Sequence, residues 1–272
     1  MSLRIIEWTD FLKTAFLQEP SAMTIGVFDG IHLGHRELIK QIVSRGPNPT
    51  IVTFRENPKK IVSRDSYEGD IFSLKQKLAI FEQLGVSRVI LIDFSENFSK
   101  LSGRDFLDLL EDRGKMVFLA IGSNFRCGYQ TDTAADGIVE INRRKGIPTE
   151  VVPPVERASV FGSGPVSSSK VRFAIISGDL KSAAVLMRRN FELDLSDINA
   201  ACLVREDLQG LVYDLRPVHR IVPLAGQYPV RLYPGGTECI VHVEDGKVFL
   251  GGLRITDTVD SLEFLTDKSP AD

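Results

Sequence analysis

The stretch that most restricts the fold is Thr24-Ile25-Gly26-Val27-Phe28-Asp29-Gly30-Ile31-His32-Leu33-Gly34-His35. An apolar run from Met23 to Phe28 stops at the turn signal Asp29-Gly30. An amphipathic pattern of Leu33, Leu38, Ile39, Ile42 and Val43 begins within a few residues. That order predicts a strand, a tight glycine turn and a helix. The helix start offers free N–H groups and the positive end of the helix dipole, so an anion is its natural ligand. His32 and His35, three positions apart, would lie on one side of the first turn, with Gly34 leaving room for a close backbone approach. The pattern predicts a phosphate-handling site.

The same alternation continues downstream. After the dense turn signal Gly46-Pro47-Asn48-Pro49, Thr50–Phe54 reads as a second buried strand. A helix with Leu74, Leu78, Ile80, Phe81 and Leu84 stops at Gly85, and Val89–Ile92 forms a third strand. Ser102 precedes another helix, Val117–Ile121 is a fourth strand, and Val151–Val155 a fifth. Repeated strand–helix units predict parallel strands with ligands at their carboxyl ends. Residues 1–20 read as a short strand and a helix, and residues 61–72 as a polar loop that covers substrate.

With 36 acidic and 33 basic residues the net charge is −3, which excludes a global field favouring nucleic acid or an anionic membrane. Cys127, Cys202 and Cys239 are odd in number and lack any C-x-x-C pairing. This argues against a disulfide framework or a structural zinc site and fits a reducing cytoplasm. No apolar run approaches the ~20 residues a membrane helix needs. The expected partners include neither nucleic acid nor membrane.

His32-Leu33-Gly34-His35 resembles the HxGH signature of nucleotidylyltransferases, and GVFDGIHLGH is similar to the string of the bacterial FMN adenylyltransferase (FAD synthetase) module. Gly122-Ser123-Asn124-Phe125-Arg126-Cys127-Gly128 resembles that family's G-x-D/N-F-x-F-G. Two glycines around an amide and an aromatic suit a loop whose backbone approaches a ring system. Val166-Ser167-Ser168-Ser169-Lys170-Val171-Arg172 is similar to V-S-S-T-x-I-R, where hydroxyls at a helix start can cap it or grip a phosphate. The resemblance runs from about residue 20 to residue 191. It implies an α/β fold with a Rossmann-like parallel sheet, and transfer of AMP from ATP to FMN, giving FAD and pyrophosphate, with magnesium (Mg2+) accompanying ATP. By the same resemblance His32, His35 and Arg172 are catalytic. Gly26, Phe28, Asp29, Gly34, Ser167, Ser168, Ser169 and Lys170 hold ATP and its phosphates, and Asn57, Asn124, Phe125, Arg126 and Gly128 hold FMN; no dedicated metal site is implied. The chain departs from the family where T-F-D-P-H-P is usual: Arg55 and Asn57 replace an acidic residue and a histidine. That departure keeps open a different phosphate acceptor, and a non-catalytic flavin or nucleotide sensor is the reading of another class. Phe94, Phe98, Leu101 and Phe106 also match a family spacing, but core packing is sufficient to explain them.

From Asp197 onward only short alternating runs occur: Ala201–Arg205, Leu211–Leu215, Gly226–Tyr233, Glu238–Val243 and Lys247–Leu250. Turn signals at Pro234-Gly235-Gly236 and Asp245-Gly246 separate the last of these into hairpins. Pro223–Val230 resembles a strand of the family's riboflavin kinase barrel, yet no string like G-R-x-L-G-F-P-T-A-N is present. The expectation is an adenylyltransferase domain over 1–192 and a degenerate, barrel-like riboflavin-kinase-like β domain over 197–272, without kinase activity. His219 and His242 read as single surface or core histidines, and 266–272 as a frayed tail.

Overall fold

The computed structural model describes residues 2–13, 17–63, 67–94, 96–159, 162–198, 202–207, 210–252 and 259–266. Its first sheet is built from β1 (Arg4–Glu7), β2 (Ser21–Ile25), β3 (Thr50–Phe54), β4 (Arg88–Ile92), β5 (Met116–Gly122) and a last strand at Thr149–Val152. All are parallel, and the first five lie in the order β1-β4-β3-β2-β5, with Thr149–Val152 outside β5. Between them run α1 (Trp8–Lys13), α2 (Leu33–Arg45), a single turn α3 (Lys59–Val62), α4 (Leu74–Gln83), α5 (Glu96–Ser99) and α6 (Gly103–Asp112). Every residue of β2 and of β4 is buried, as expected for strands with both faces covered. Met23, Ile25, Val52, Ile90, Leu119 and Ile121 join Trp8, Phe11, Phe106 and Leu110 in one core. The strand order reverses at β2, which pairs with β3 on one side and β5 on the other. The carboxyl ends of β2 and β5 therefore form the topological switch point, where sheets of this kind open a crevice.

Several local details differ from the sequence reading. The strand expected at Met23–Phe28 ends at Ile25, because Phe28 has φ +54° and turns its ring inward. The first helix is described over Trp8–Lys13, and residues 17–20 are not helical, so it does not reach Pro20. Val43, assigned to the apolar face of α2, is exposed, and that face is Leu38, Ile39 and Ile42. Ser102 does cap α6, accepting the Asp105 N–H.

The remaining chain adds β6 (Arg126–Cys127) paired with β7 (Thr133–Ala134), then α7 (Ala135–Arg144), β8 for the strand Thr149–Val152, and the hairpin of β9 (Glu156–Ser159) and β10 (Gly162–Pro165). The helices α8 (Ser168–Ile176) and α9 (Leu180–Met187) follow. A second, antiparallel sheet of seven strands comprises β11 (Glu192–Asp194), β12 (Leu203–Asp207), β13 (Gly210–Asp214), β14 (Gly226–Tyr233), β15 (Glu238–Glu244), β16 (Lys247–Gly251) and β17 (Ser261–Phe264). Their order is β11-β17-β14-β15-β16-β13-β12, so the sheet is a curled half-barrel whose first and last strands are edges. The turn between β15 and β16 has Asp245 and Gly246 both at positive φ, the two-residue geometry that the Asp-Gly signal predicts. β11 and β17 were not visible as runs in the sequence. Thr266 hydrogen-bonds Asn190 rather than fraying, and 267–272 lie outside the described residues.

The chain gathers into two compact units. One comprises Met1–Phe28, Gly34–Asp65 and Lys77–Val155, the other Asp29–Leu33, Ser66–Gln76 and Glu156–Asp272. The parallel sheet belongs to the first, the antiparallel sheet to the second. The helices α8 and α9, which the sequence reading placed with residues 1–192, group with the second unit, as does β11. Among the described residues no helix is long and apolar enough to cross a membrane.

Candidate functional site

After β2 the backbone turns within a few residues. Phe28, Gly30 and Ile31 all have positive φ, at 54°, 78° and 37°. Two of these are large residues in a region that normally suits glycine, and both side chains are fully buried, so packing maintains the turn. The Phe28 ring lies 5.0 Å from the His35 ring and meets Phe81 edge-on at 5.6 Å. Gly26 packs closely against this ring, since a Cβ there would come within 3.2 Å of it. His32 stands immediately before α2, Gly34 is its second residue and His35 its third. The imidazole of His32 is 6% exposed, and burial pushes its pKa down to about 4. It is therefore neutral at physiological pH, with one nitrogen able to donate and the other able to accept.

In the second unit Asp29 lies at the centre of a buried polar cluster. One carboxylate oxygen accepts the Ile71 N–H at 3.0 Å, and the other is paired with the Arg172 guanidinium. Arg172 Nε donates to the Gly69 carbonyl at 3.0 Å, and the Ser168 hydroxyl donates to the carbonyl of Asp29 at 2.8 Å. Ser167 is the N-cap of α8, accepting the Lys170 N–H at 3.3 Å, as the run of hydroxyls predicted. Ser169 is exposed on the first turn and Lys170 is half-buried. Residues 67–72 are not the open loop the sequence suggested. Ile71 and Phe72 are buried and Asp70 forms a bridge with Arg220, because two adjacent apolar side chains there have a core to enter.

The first unit contains a cavity of about 850 Å³ at the carboxyl ends of β2, β3 and β5. Gly26 and Val27 contribute from the turn, Phe54 from β3, and Asn124, Phe125, Arg126 and Gly128 from the loop after β5. Gly128 (φ +85°) cannot carry a side chain, since a Cβ would collide with Asp132 and the Gly103 nitrogen. Most of the remaining wall is apolar and aromatic, with Ser99, Gln130 and Thr131 as polar members. Phe94, Phe98, Leu101 and Phe106, whose spacing core packing is sufficient to explain, all line the cavity. Ile61 and Val62 of α3 also line it while 60% and 69% exposed. The Cys127 thiol in the same wall is pushed up to about 12 by burial and the Asp132 carboxylate, so it is a neutral lining group.

Four of the five residues predicted to hold a flavin thus share one cavity, and the fifth, Asn57, does not line it. Asn57 is buried beside it in sequence, its side-chain oxygen accepting the Lys59 N–H at 3.2 Å. Arg55, the other departure, makes ion pairs with Glu7 and with Asp93 (3.0 Å) across the ends of β1, β3 and β4. Its role there is to balance two carboxylates at neighbouring strand ends. Among the described residues no group of three His, Cys, Asp or Glu side chains could hold a metal ion.

A parallel sheet with its strand order reversing at β2, a glycine turn into a helix and a cavity at the strand ends define a Rossmann-like α/β protein. The chain belongs to the FAD synthetase family, whose model matches residues 15–170. Among curated proteins it is similar to the bifunctional riboflavin kinase/FMN adenylyltransferase of Bacillus subtilis (strain 168), 31% identical over 62% of this chain and 54% of that one. The protein of the same description from Escherichia coli (strain K12) is 28% identical over 65% and 56%. The chain spans about half the length of the curated relatives it matches. A crystal structure described as a macrolide-efflux protein from Streptococcus pneumoniae is 19% identical, with a TM-score of 0.75 covering 97% of this chain and 90% of that one. At that identity the likeness concerns the fold alone.

Proposed function

We propose that this chain transfers AMP from ATP to FMN, releasing pyrophosphate and forming FAD. The observation that carries the reading is the aromatic cavity at the switch point, walled by Asn124–Gly128, in a chain of the FAD synthetase family. A terminal phosphate oxygen of FMN attacks the α-phosphorus of ATP in line as the bond to the β-phosphate oxygen breaks. No covalent enzyme intermediate is needed, so positioning and charge stabilisation supply the rate. His32 and His35, at the start of α2, contact the ATP phosphates, with Gly26, Phe28, Asp29 and Gly34 shaping the turn that presents them. Ser167, Ser168, Ser169 and Lys170 hold phosphate at the start of α8. Asn57, Asn124, Phe125, Arg126 and Gly128 serve the flavin. Magnesium arrives with ATP as its complex and neutralises phosphate charge.

Riboflavin kinase activity is proposed to be absent, supported by the missing glycine- and threonine-bearing string. Incubation with ATP, magnesium and either FMN or riboflavin, followed by chromatography of the flavins, tests both statements. FAD from FMN, with no FMN from riboflavin, is the expected result. No FAD under any condition overturns the adenylyltransferase reading and turns attention to another phosphate acceptor.

A further inference from the structure

Asp29 precedes His32 by three residues, and its surroundings in the second unit are unusually constrained. Its two carboxylate oxygens are held by the Ile71 N–H and by Arg172, and its own carbonyl accepts the Ser168 hydroxyl. Asp29 and Arg172 are 5% and 6% exposed, so the pair has little water to screen or replace it. The guanidinium also reaches the Gly69 carbonyl and so ties the turn to the segment 67–72 at a second point.

That segment is fastened on its other side to the connection between β13 and β14. The Asp70 N–H donates to the His219 carbonyl at 2.8 Å, and the Ile221 N–H to the Asp70 carbonyl at 3.3 Å. The Tyr67 hydroxyl bonds the Asp70 carboxylate, and the Tyr67 ring stands 6.2 Å from that of His219. A glycine occupies each of the two contacts. A Cβ on Gly30 (φ +78°) would approach Ile71 Cδ1 to 2.9 Å, and one on Gly69 (φ +121°) would approach the His219 carbonyl oxygen to 2.6 Å. Segment 67–72 therefore packs at backbone distance against the His219 carbonyl, and against Gly30 through the Ile71 side chain.

We propose that Arg172 and the segment Tyr67–Phe72 are positioning elements that hold the Asp29-Gly30 turn, and with it His32, in place for phosphate chemistry, and that the β13–β14 connection supports them. The antiparallel sheet then serves adenylyl transfer through His219–Ile221, in the connection between two of its strands. Arg172 acts on phosphate through the turn, with Nε and Nη2 engaged by Gly69 and Asp29. This inference rests on the adenylyltransferase reading and gives one of its predicted catalytic residues a different task.

The test compares the full chain with Gly69→Ala and Arg172→Lys, using FMN and magnesium ATP well below each variant's Tm. Misplacement of the turn predicts a fall in kcat of about tenfold to a hundredfold with KM for ATP little changed. Lysine does not rescue, because one ammonium cannot reproduce a planar fork spanning two acceptors. A raised KM for ATP with kcat retained in Arg172→Lys would identify a direct phosphate contact and overturn the proposal. A lowered Tm with unchanged kcat in both variants also overturns it. His32 gives a readout independent of turnover: its NMR titration is expected to move from about 4 toward the ordinary imidazole value in both variants. If the unaltered chain makes no FAD, the adenylyltransferase reading fails separately, and the His32 titration decides the coupling by moving or staying. Should Gly69→Ala not fold, Arg172→Lys carries the same test.

Discussion

On β4 of the parallel sheet neighbouring residues share one fate, since Val89 and Ile90 are both fully buried. On β15 of the antiparallel sheet they do not: Val241 and Val243 are buried while Ile240 and His242 face out. A strand covered on both faces offers a ligand nothing except its ends, and the turn after β2 and the loop after β5 occupy such ends. A strand with one wet face can change half of its residues without touching the core. The difference explains why the chemistry-bearing strings cluster in the first 172 residues, whereas the half-barrel is readable mainly as alternation.

The largest effect that could break this comparison is on stability. Val89→Asp and Ile90→Asp should each cost at least about 3 kcal/mol, because either places an unpaired charge in the core. On β15 only one of two neighbours should behave so: Val241→Asp is severe, whereas Ile240→Asp, at a 58% exposed position, stays within about 1 kcal/mol. Urea unfolding midpoints decide the matter. A tolerant neighbour on β4 would mean that the parallel sheet has an open face.

The second effect concerns catalysis and sharpens the claim that strand ends carry the site. His35→Ala is expected to lower FAD formation by roughly a hundredfold to a thousandfold, while His242→Ala, on the exposed face of β15, leaves it within about twofold. Steady-state rates from FMN and ATP check both. No FAD from the unaltered chain, with nucleotide binding weakened in His35→Ala, would favour the sensor reading, and turnover retained in His35→Ala would remove His35 from the phosphate chemistry.

A third effect is smaller and follows pH. Burial holds the folded-state pKa of His32 near 4, below the ordinary value of 6.5. Above pH 6.5 the imidazole is neutral whether folded or not, and its contribution is fully present. As the pH falls the unfolded chain takes up the proton first, so stability is lost progressively until the folded site protonates near 4. By pH 5 the loss is roughly 2 kcal/mol. Unfolding midpoints at pH 7 and pH 5 should show this excess sensitivity, and His32→Gln should remove it. Equal slopes for the two proteins would mean that His32 is not buried in solution.

Much of the parallel sheet was legible because a buried strand reads as a continuous apolar run: Thr50–Phe54 has the bounds expected, β4 begins one residue earlier than expected, and β5 is one residue longer at each end. The end of β2 was not, since Phe28 turns inward to meet Phe81, and an apolar letter does not say which backbone conformation carries it. The loop Asn124–Gly128 was recognisable from its two glycines. Phe54, Phe94 and Phe98 were not, because a phenylalanine facing a cavity and one facing a core look the same in sequence. β11 and β17 are three and four residues long, and their pairing, β11 with β17 and β17 with β14, is distant in sequence, so no local pattern announces them. The fastening of residues 67–72 to Asp29 and His219 escaped for the same reason, since its hydrogen bonds are all distant in sequence.

Arg55 supplies the smallest effect and limits how far the strand-end rule reaches. It follows β3 directly, at the same end of the sheet as the cavity, yet it does not line that cavity and its guanidinium is engaged by Glu7 and Asp93. Those partners raise its already high pKa, chiefly through the hydrogen bond to Glu7, so its charge is constant over any working pH. The side chain is 41% exposed, and exposed ion pairs contribute about 0–1 kcal/mol, two pairs sharing one guanidinium not much more. Arg55→Gln should therefore shift the urea midpoint slightly, by an amount that shrinks further in high salt, and leave FAD formation within about twofold. Arg55→Asp, which restores the acidic residue usual in the family, sets three carboxylates at the ends of β1, β3 and β4 and should destabilise more than Arg55→Gln by like-charge repulsion. If Arg55→Asp instead raised turnover tenfold or more, Arg55 would be a determinant of the acceptor, and position at a strand end alone would suffice to make a site residue.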